Sequence, residues 1–75
     1  MYKLLILSPE EILFEGEVHN AIFPGSEGSF EVLPNHTPII SQLKNGNITI
    51  DNQTQIPIPN GFLEFSNNNC TVLVN

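Results

Sequence analysis

The side chains able to do chemistry in this 75-residue chain are few: two histidines, one cysteine, five serines and eight carboxylates. His19 and His36 are the candidate bases. Ser8, Ser26, Ser29, Ser41 and Ser66 are the serines that either histidine would have to activate. None of the five lies in a Gly-x-Ser-x-Gly elbow or another recognised nucleophile setting. Glu10-Glu11 and Glu15-x-Glu17 bring carboxylates close in sequence, yet strand alternation sends Glu15 and Glu17 to one exposed face. That is a solvated surface rather than an acid–base pair. Cys70 has no basic neighbour within six residues to depress its pKa, and reads as a small core residue. One cysteine makes no internal disulfide, and with two histidines it falls short of a tetrahedral zinc site. No catalytic residue, metal or cofactor is expected.

The segment Pro24-Gly25-Ser26-Glu27-Gly28-Ser29 has the look of a phosphate loop. It lacks the Lys-Ser/Thr that such a loop requires and carries a glutamate that would repel an anion. Nucleotide binding there is rejected. The wider segment Ile22–Leu43 is more informative, because it holds Pro24, Pro34 and Pro38 around a loop histidine. Pro34 and Pro38 fix φ on both sides of His36, which makes the loop stiff. Stiff loops bind with less ordering cost. The same stiffness would serve a plain connection between two sheets.

These residues must be held by strands. Turn signals recur at Ser8-Pro9, Pro24-Gly25, Gly28, Pro34-Asn35, Asn45-Gly46, Asp51-Asn52, Asn60-Gly61 and Asn67-Asn68-Asn69. Between them lie short runs rich in β-branched and aromatic residues. The predicted strands are Lys3–Leu7, Ile12–Phe14, Glu17–Phe23, Ser29–Leu33, Pro38–Leu43, Asn47–Ile50, Gln55–Ile58, Phe62–Phe65 and Cys70–Val74. That spacing predicts an all-β fold, a small antiparallel β-sandwich of about ten short strands occupying residues 1–75. No Gly- and Pro-free stretch of ten residues carries helical periodicity. Pro57 and Pro59 cannot donate ladder hydrogen bonds, so Gln55–Ile58 is expected at a sheet edge. Asn60-Gly61 and Asn45-Gly46 are expected as hairpin turns. Leu4–Leu7 and Val72–Val74 are apolar on both faces, which suits a sheet centre or a covered surface.

Composition narrows the function. Hydrophobic residues make up 40% of the chain, enough for a folded core, but a core this small stabilises weakly and a partner is the expected support. Net charge is −6, with Lys3 and Lys44 the only cations. Nucleic acids and anionic membranes are therefore excluded as partners, and the acidic surface suits a basic protein or simply solubility. The apolar run Leu4–Leu7 is too short for a signal peptide, and no run approaches a transmembrane helix, so a soluble intracellular chain is expected. Four Asn-x-Thr sequons, at Asn35, Asn47, Asn52 and Asn69, read as chance in so Asn-rich a sequence.

The segment Ile22–Leu43 resembles the Pro-Gly-x-x-Gly-x-x-Gly-(Val/Ile)-(Leu/Tyr)-Pro-Gly-His-(Ala/Thr)-Pro-Leu-Leu motif of the epsilon subunit of F-type ATP synthases. Three further runs match in order and approximate spacing. They are Leu7-Ser8-Pro9-Glu10 with Leu13-Phe14-x-Gly16-Glu17-Val18, Gly61-Phe62-Leu63-Glu64-Phe65, and Thr71-Val72-Leu73. The resemblance covers essentially the whole chain and only the family's N-terminal β-sandwich. Many members continue into two C-terminal helices that inhibit ATP hydrolysis and in some bind ATP, properties that attach to residues after this stretch.

The resemblance implies a non-catalytic rotor subunit that couples the central-stalk gamma subunit to the membrane ring of c subunits. By motif position, Ser8, His36 and Ser41 would lie toward gamma, and Ser26, Glu27, Gly28, Ser29 and Phe30 would face the c-ring. It also implies a peripheral location on the cytoplasmic face of the bacterial inner membrane, through the complex and without insertion. Glu31 and Asn35 stand where the motif has glycine. Asparagine tolerates the left-handed region well, so the turn before His36 is expected to survive. The alternative function is a free-standing β-sandwich that binds a ligand or an extended peptide along an exposed edge.

Overall fold

The computed structural model describes all residues, Met1–Asn75. Nine strands form: β1 (Tyr2–Leu7), β2 (Ile12–Val18), β3 (Ala21–Gly25), β4 (Gly28–Val32), β5 (Ile39–Leu43), β6 (Gly46–Ile50), β7 (Thr54–Ile58), β8 (Gly61–Ser66) and β9 (Asn69–Val74). One layer runs β2-β1-β9-β8-β5, the other β4-β3-β6-β7, and a single pairing, Gly25 with Leu43, joins them. Alternate residues of both layers point inward, which is how a β-sandwich makes its core. Tyr2, Leu4 and Ile6 of β1 meet Cys70, Val72 and Val74 of β9, Leu63 and Phe65 of β8, and Phe23, Ile48 and Ile50 from the opposite layer. The Tyr2 and Phe65 rings pack edge to face at 5.2 Å. The Tyr2 hydroxyl donates to Val32 O at 3.0 Å, so the one polar group deep in the core is satisfied.

Most ladders are antiparallel as expected, but β1 and β9 pair in parallel, Leu4 beside Cys70 and Ile6 beside Val72. A parallel pair needs a long crossover, here the whole intervening chain. This puts the two doubly apolar strands at the middle of their layer. Gln55–Ile58 lies within β7, which pairs only with β6 and is an edge, as Pro57 within it requires. Cys70 is 2% exposed, and burial pushes its thiol up to about 12.

The break expected at Glu15-Gly16 is displaced. β2 runs through Gly16, over which the Phe14 ring folds, and Glu15 and Glu17 share the exposed face. The chain turns instead at His19-Asn20. There the Asp51 carboxylate accepts both backbone N–H groups, at 2.7 Å from His19 and 3.0 Å from Asn20, while Asp51 N–H donates to Asn20 O. The Asn20 and His19 amides hold the Asp51 carboxyl below its ordinary pKa. A depressed carboxyl stabilises the fold above its unfolded-state pKa and loses that contribution as pH falls through the folded one. Asp51→Asn, which keeps tolerance of the left-handed φ of 52° here, is expected to melt lower than wild type at neutral pH. The two melting curves should converge on acidification, and a constant gap between them from pH 7 to acid would refute the clasp's ionic character.

The two Asn-Gly pairs are not hairpins. Asn45-Gly46 leads from β5 to β6 and Asn60-Gly61 from β7 to β8, and neither pair of strands is hydrogen-bonded. Each is a crossing between layers. The tight turns of the β6–β7 and β8–β9 hairpins fall at Asp51-Asn52 and Asn67-Asn68, all four with φ between 51° and 57°. Asparagine and aspartate supply the left-handed conformation there without glycine. Gly46 and Gly61 are wanted for proximity. A Cβ on Gly46 would sit 2.8 Å from the Pro24 Cβ, and one on Gly61 2.8 Å from Leu73 O. Gly61→Ala must push β8 away from β9, and is expected to cost about 1–3 kcal/mol in a denaturant titration.

Candidate functional site

Three features of the surface stand out. The first is the β3–β4 hairpin. Its tip, Ser26-Glu27, is exposed, and Gly28 follows with φ 133°, a conformation that side chains rarely adopt. The tip is nonetheless fixed. Ser26 N–H donates to Gln42 O at 2.9 Å and Lys44 N–H to Pro24 O at 2.8 Å, tying the hairpin to the end of β5. Gly25 is required below it, because a Cβ there would lie 2.8 Å from the Phe30 ring, which tilts against Phe23 at 5.7 Å. A shallow groove of ≈ 490 Å³ runs between the hairpin and β5, lined by Gly25–Phe30 and Ile40–Gln42.

The second is the His36 loop. Asn35 has φ 67°, the left-handed conformation expected of an asparagine at this turn. His36 N–H donates to Leu33 O at 3.2 Å, and the imidazole stands edge-on to Phe65 at 6.0 Å. Its Nδ1 lies 2.7 Å from Thr37 O. A carbonyl only accepts, so Nδ1 carries the proton and Nε2 is left as an acceptor in the neutral ring. The half-buried ring is thereby held in one orientation.

The third is an apolar stripe on the outer face of the β2-β1-β9-β8-β5 layer. Ile12 pairs with Leu7, Leu7 with Leu73 and Leu73 with Phe62. Ile40 flanks Phe62 and Leu73 across a cleft of ≈ 200 Å³ shared with Glu64 and Thr71. Exposure is 67% for Ile40, 56% for Ile12, 54% for Leu73 and 49% for Phe62. A row of large apolar side chains across five strands, exposed at Ile12, Leu73, Phe62 and Ile40 and half-buried at Leu7, is unusual for a surface that stays in water. The run Val72–Val74 pointed to such a face. Phe62 and Ile40 carry no such signal in the sequence, because each shares its strand face with a polar residue, Glu64 and Gln42 respectively.

The residues assigned by motif fall into three neighbourhoods. Ser41 lines the groove beside Ser26, Glu27, Gly28, Ser29 and Phe30, so the structure groups it with them. Its hydroxyl donates to Gln42 O at 3.3 Å. Ser8 sits past the end of β1, where its hydroxyl donates to Glu11 O and accepts from Glu11 N–H, both at 3.2 Å, closing the β1–β2 turn. His36 lies by the other end of the layer, near the start of β1, a strand length away at roughly 17 Å. Ser8, His36 and Ser41 therefore do not form one cluster. Glu31, on the exposed side of β4, accepts from the Asn20 side-chain amide at 2.6 Å.

Residues 1–75 match the family model for the β-sandwich domain of the ATP synthase delta/epsilon chain. The chain belongs to that family. It is 39% identical over 74 residues to the ATP synthase epsilon chain of Leptospira interrogans, covering 95% of this chain and 58% of that one. The epsilon chain of Nitratiruptor is 42% identical over 76 residues, 96% of this chain and 59% of the relative. That of Chlorobium limicola is 33% identical over 76 residues, 96% of this chain and 86% of the relative. The epsilon-type chain described here thus spans somewhat under two thirds of the length of the first two relatives. Among solved structures, a chain in the central stalk/c-ring structure of the Tetrahymena thermophila mitochondrial ATP synthase superposes with a TM-score of 0.78 at 14% identity. The superposition covers 96% of this chain and 61% of that one, and it supports the fold. The sandwich architecture and the epsilon-type resemblance read from the sequence both hold.

Proposed function

We propose that this epsilon-type sandwich is a rotor coupling element of an F-type ATP synthase, joining the gamma subunit of the central stalk to the ring of c subunits. The observation that carries the reading is the apolar stripe from Ile12 to Ile40, a face suited to being covered, on a chain whose family is that of ATP synthase delta/epsilon chains. Gamma is assigned to that stripe together with the His36 loop. The c-ring is assigned to the β3–β4 hairpin, where Ser26, Glu27 and Ser29 are exposed polar groups fit to meet polar loops at a membrane surface. The role is mechanical. Torque crosses a close-packed body whose hairpin is tied to the end of β5 and whose loop is tied to the β8–β9 turn, so little of the motion is lost in bending. The chain contributes no catalytic group. It sits at the cytoplasmic face of a bacterial inner membrane as a peripheral part of the complex.

The test is a tagged pull-down from detergent-solubilised membranes of the source cell, with mass spectrometry and an ATP hydrolysis assay on the eluate. Recovery of alpha, beta, gamma and c subunits is expected. A clean monomer under mild detergent would overturn the rotor reading in favour of a free-standing ligand- or peptide-binding sandwich.

A further inference from the structure

We infer that Asn68, in the β8–β9 turn, is a positioning residue that presets the His36 loop for its partner through a reciprocal amide clasp with Asn35; this rests on the docking role proposed above and deepens it. Asn35 N–H donates to Asn68 Oδ1 at 2.7 Å, and Asn68 Nδ2 donates to Asn35 Oδ1 at 2.9 Å. The two residues are 33 apart in sequence, and both are in the left-handed region, with φ of 67° and 57°. Glycine would serve that backbone at either position without strain. What the asparagines add is the pair of hydrogen bonds.

Those bonds do something the prolines do not. Pro34 and Pro38 fix φ within the loop but leave its angle to the body undetermined. The clasp joins the loop to a turn that is itself anchored, since Lys3 N–H donates to Asn68 O at 3.1 Å. Loop, turn and the start of β1 become one unit. Within it the His36 ring is edge-on to Phe65, and Nδ1–H is spent on Thr37 O. Nε2 is therefore offered in a set direction as an acceptor, and the matching partner feature is a hydrogen-bond donor. A loop already ordered loses less freedom on docking, worth about 3–10-fold in affinity for one or two immobilised side chains.

The experiment uses the chain with the gamma subunit of its own organism, comparing wild type with Asn68→Gly, Asn35→Gly and the double variant. Gamma binding kinetics, thermal melting and hydrogen exchange at the Asn35 and His36 amides are recorded for each. Each single variant is expected to weaken gamma binding about 3–10-fold and to speed loop amide exchange, with melting nearly unchanged. The double variant should be no weaker than the singles, because either change removes the same clasp. Asn68→Asp keeps the acceptor for Asn35 N–H and should recover part of the affinity, which a merely structural role in the turn would not require. Single-variant affinities equal to wild type, or losses that add in the double variant, would overturn the positioning role. If wild type binds no gamma, the docking reading fails by itself. Unchanged loop exchange in Asn68→Gly would then still refute the clasp.

Discussion

Replacing Phe65 with alanine is expected to abolish the cooperative folded state at room temperature. Phe65 is 1% exposed, packs edge to face on Tyr2 and also meets the His36 ring edge-on at 6.0 Å. Removing a buried phenyl ring costs about 3–5 kcal/mol, the lost transfer energy plus the cavity left behind. A domain of this size holds only roughly 3–5 kcal/mol in all, so one such loss consumes it. Collapse around the void is hindered because the strands on either side, β5 and β9, are locked in register with β8. Circular dichroism with urea titration is the measurement. Phe65→Leu, which preserves most of the volume, should stay folded with a penalty of about 1–2 kcal/mol. A cooperative Phe65→Ala transition close to that of wild type would show that the core is far more stable than its size implies.

The largest functional effect is expected from the pair Phe62→Lys and Leu73→Glu. The two residues lie directly opposite one another on β8 and β9, both facing out. Opposite charges across an antiparallel pair are mildly favourable, so the fold should survive the exchange. The apolar stripe would be broken at its centre, where interface energy concentrates. Two large apolar anchors at about 2 kcal/mol each imply a loss of gamma affinity on the order of 1,000-fold. Binding kinetics beside a melting curve read both quantities. Wild-type affinity in a folded double variant would move the gamma interface off this face.

Much of the fold and part of the candidate surface were legible in the residues. The strand content follows from period-two alternation, as in Asn47-Ile48-Thr49-Ile50, where the isoleucines are buried and their neighbours are not. Pro57 places β7 at an edge because a missing N–H acts wherever the strand sits. Asn35 is left-handed, and Cys70 lies in the core. All of these depend on a residue's own stereochemistry or polarity, which the chain carries before it folds.

The misplaced features share a different origin. The turn at His19-Asn20 exists because a carboxylate 31 and 32 residues later takes up its two amides. Gly46 and Gly61 look like hairpin glycines, yet they answer to Pro24 and to Leu73 O, atoms brought near only by the packing of layers. The parallel pairing of β1 with β9 joins the two ends of the chain, and the apolar stripe becomes continuous only through that pairing. The Asn35–Asn68 clasp is likewise invisible until the β8–β9 turn is folded against the loop. Apart from the turn at His19-Asn20, the sequence by itself determined most of which residues are extended, which turn and which are buried, since those are single-residue preferences. Tertiary structure alone decided which strands are neighbours and which side chains meet, because hydrogen bonds and close contacts belong to pairs, and the pairs here are dozens of residues apart.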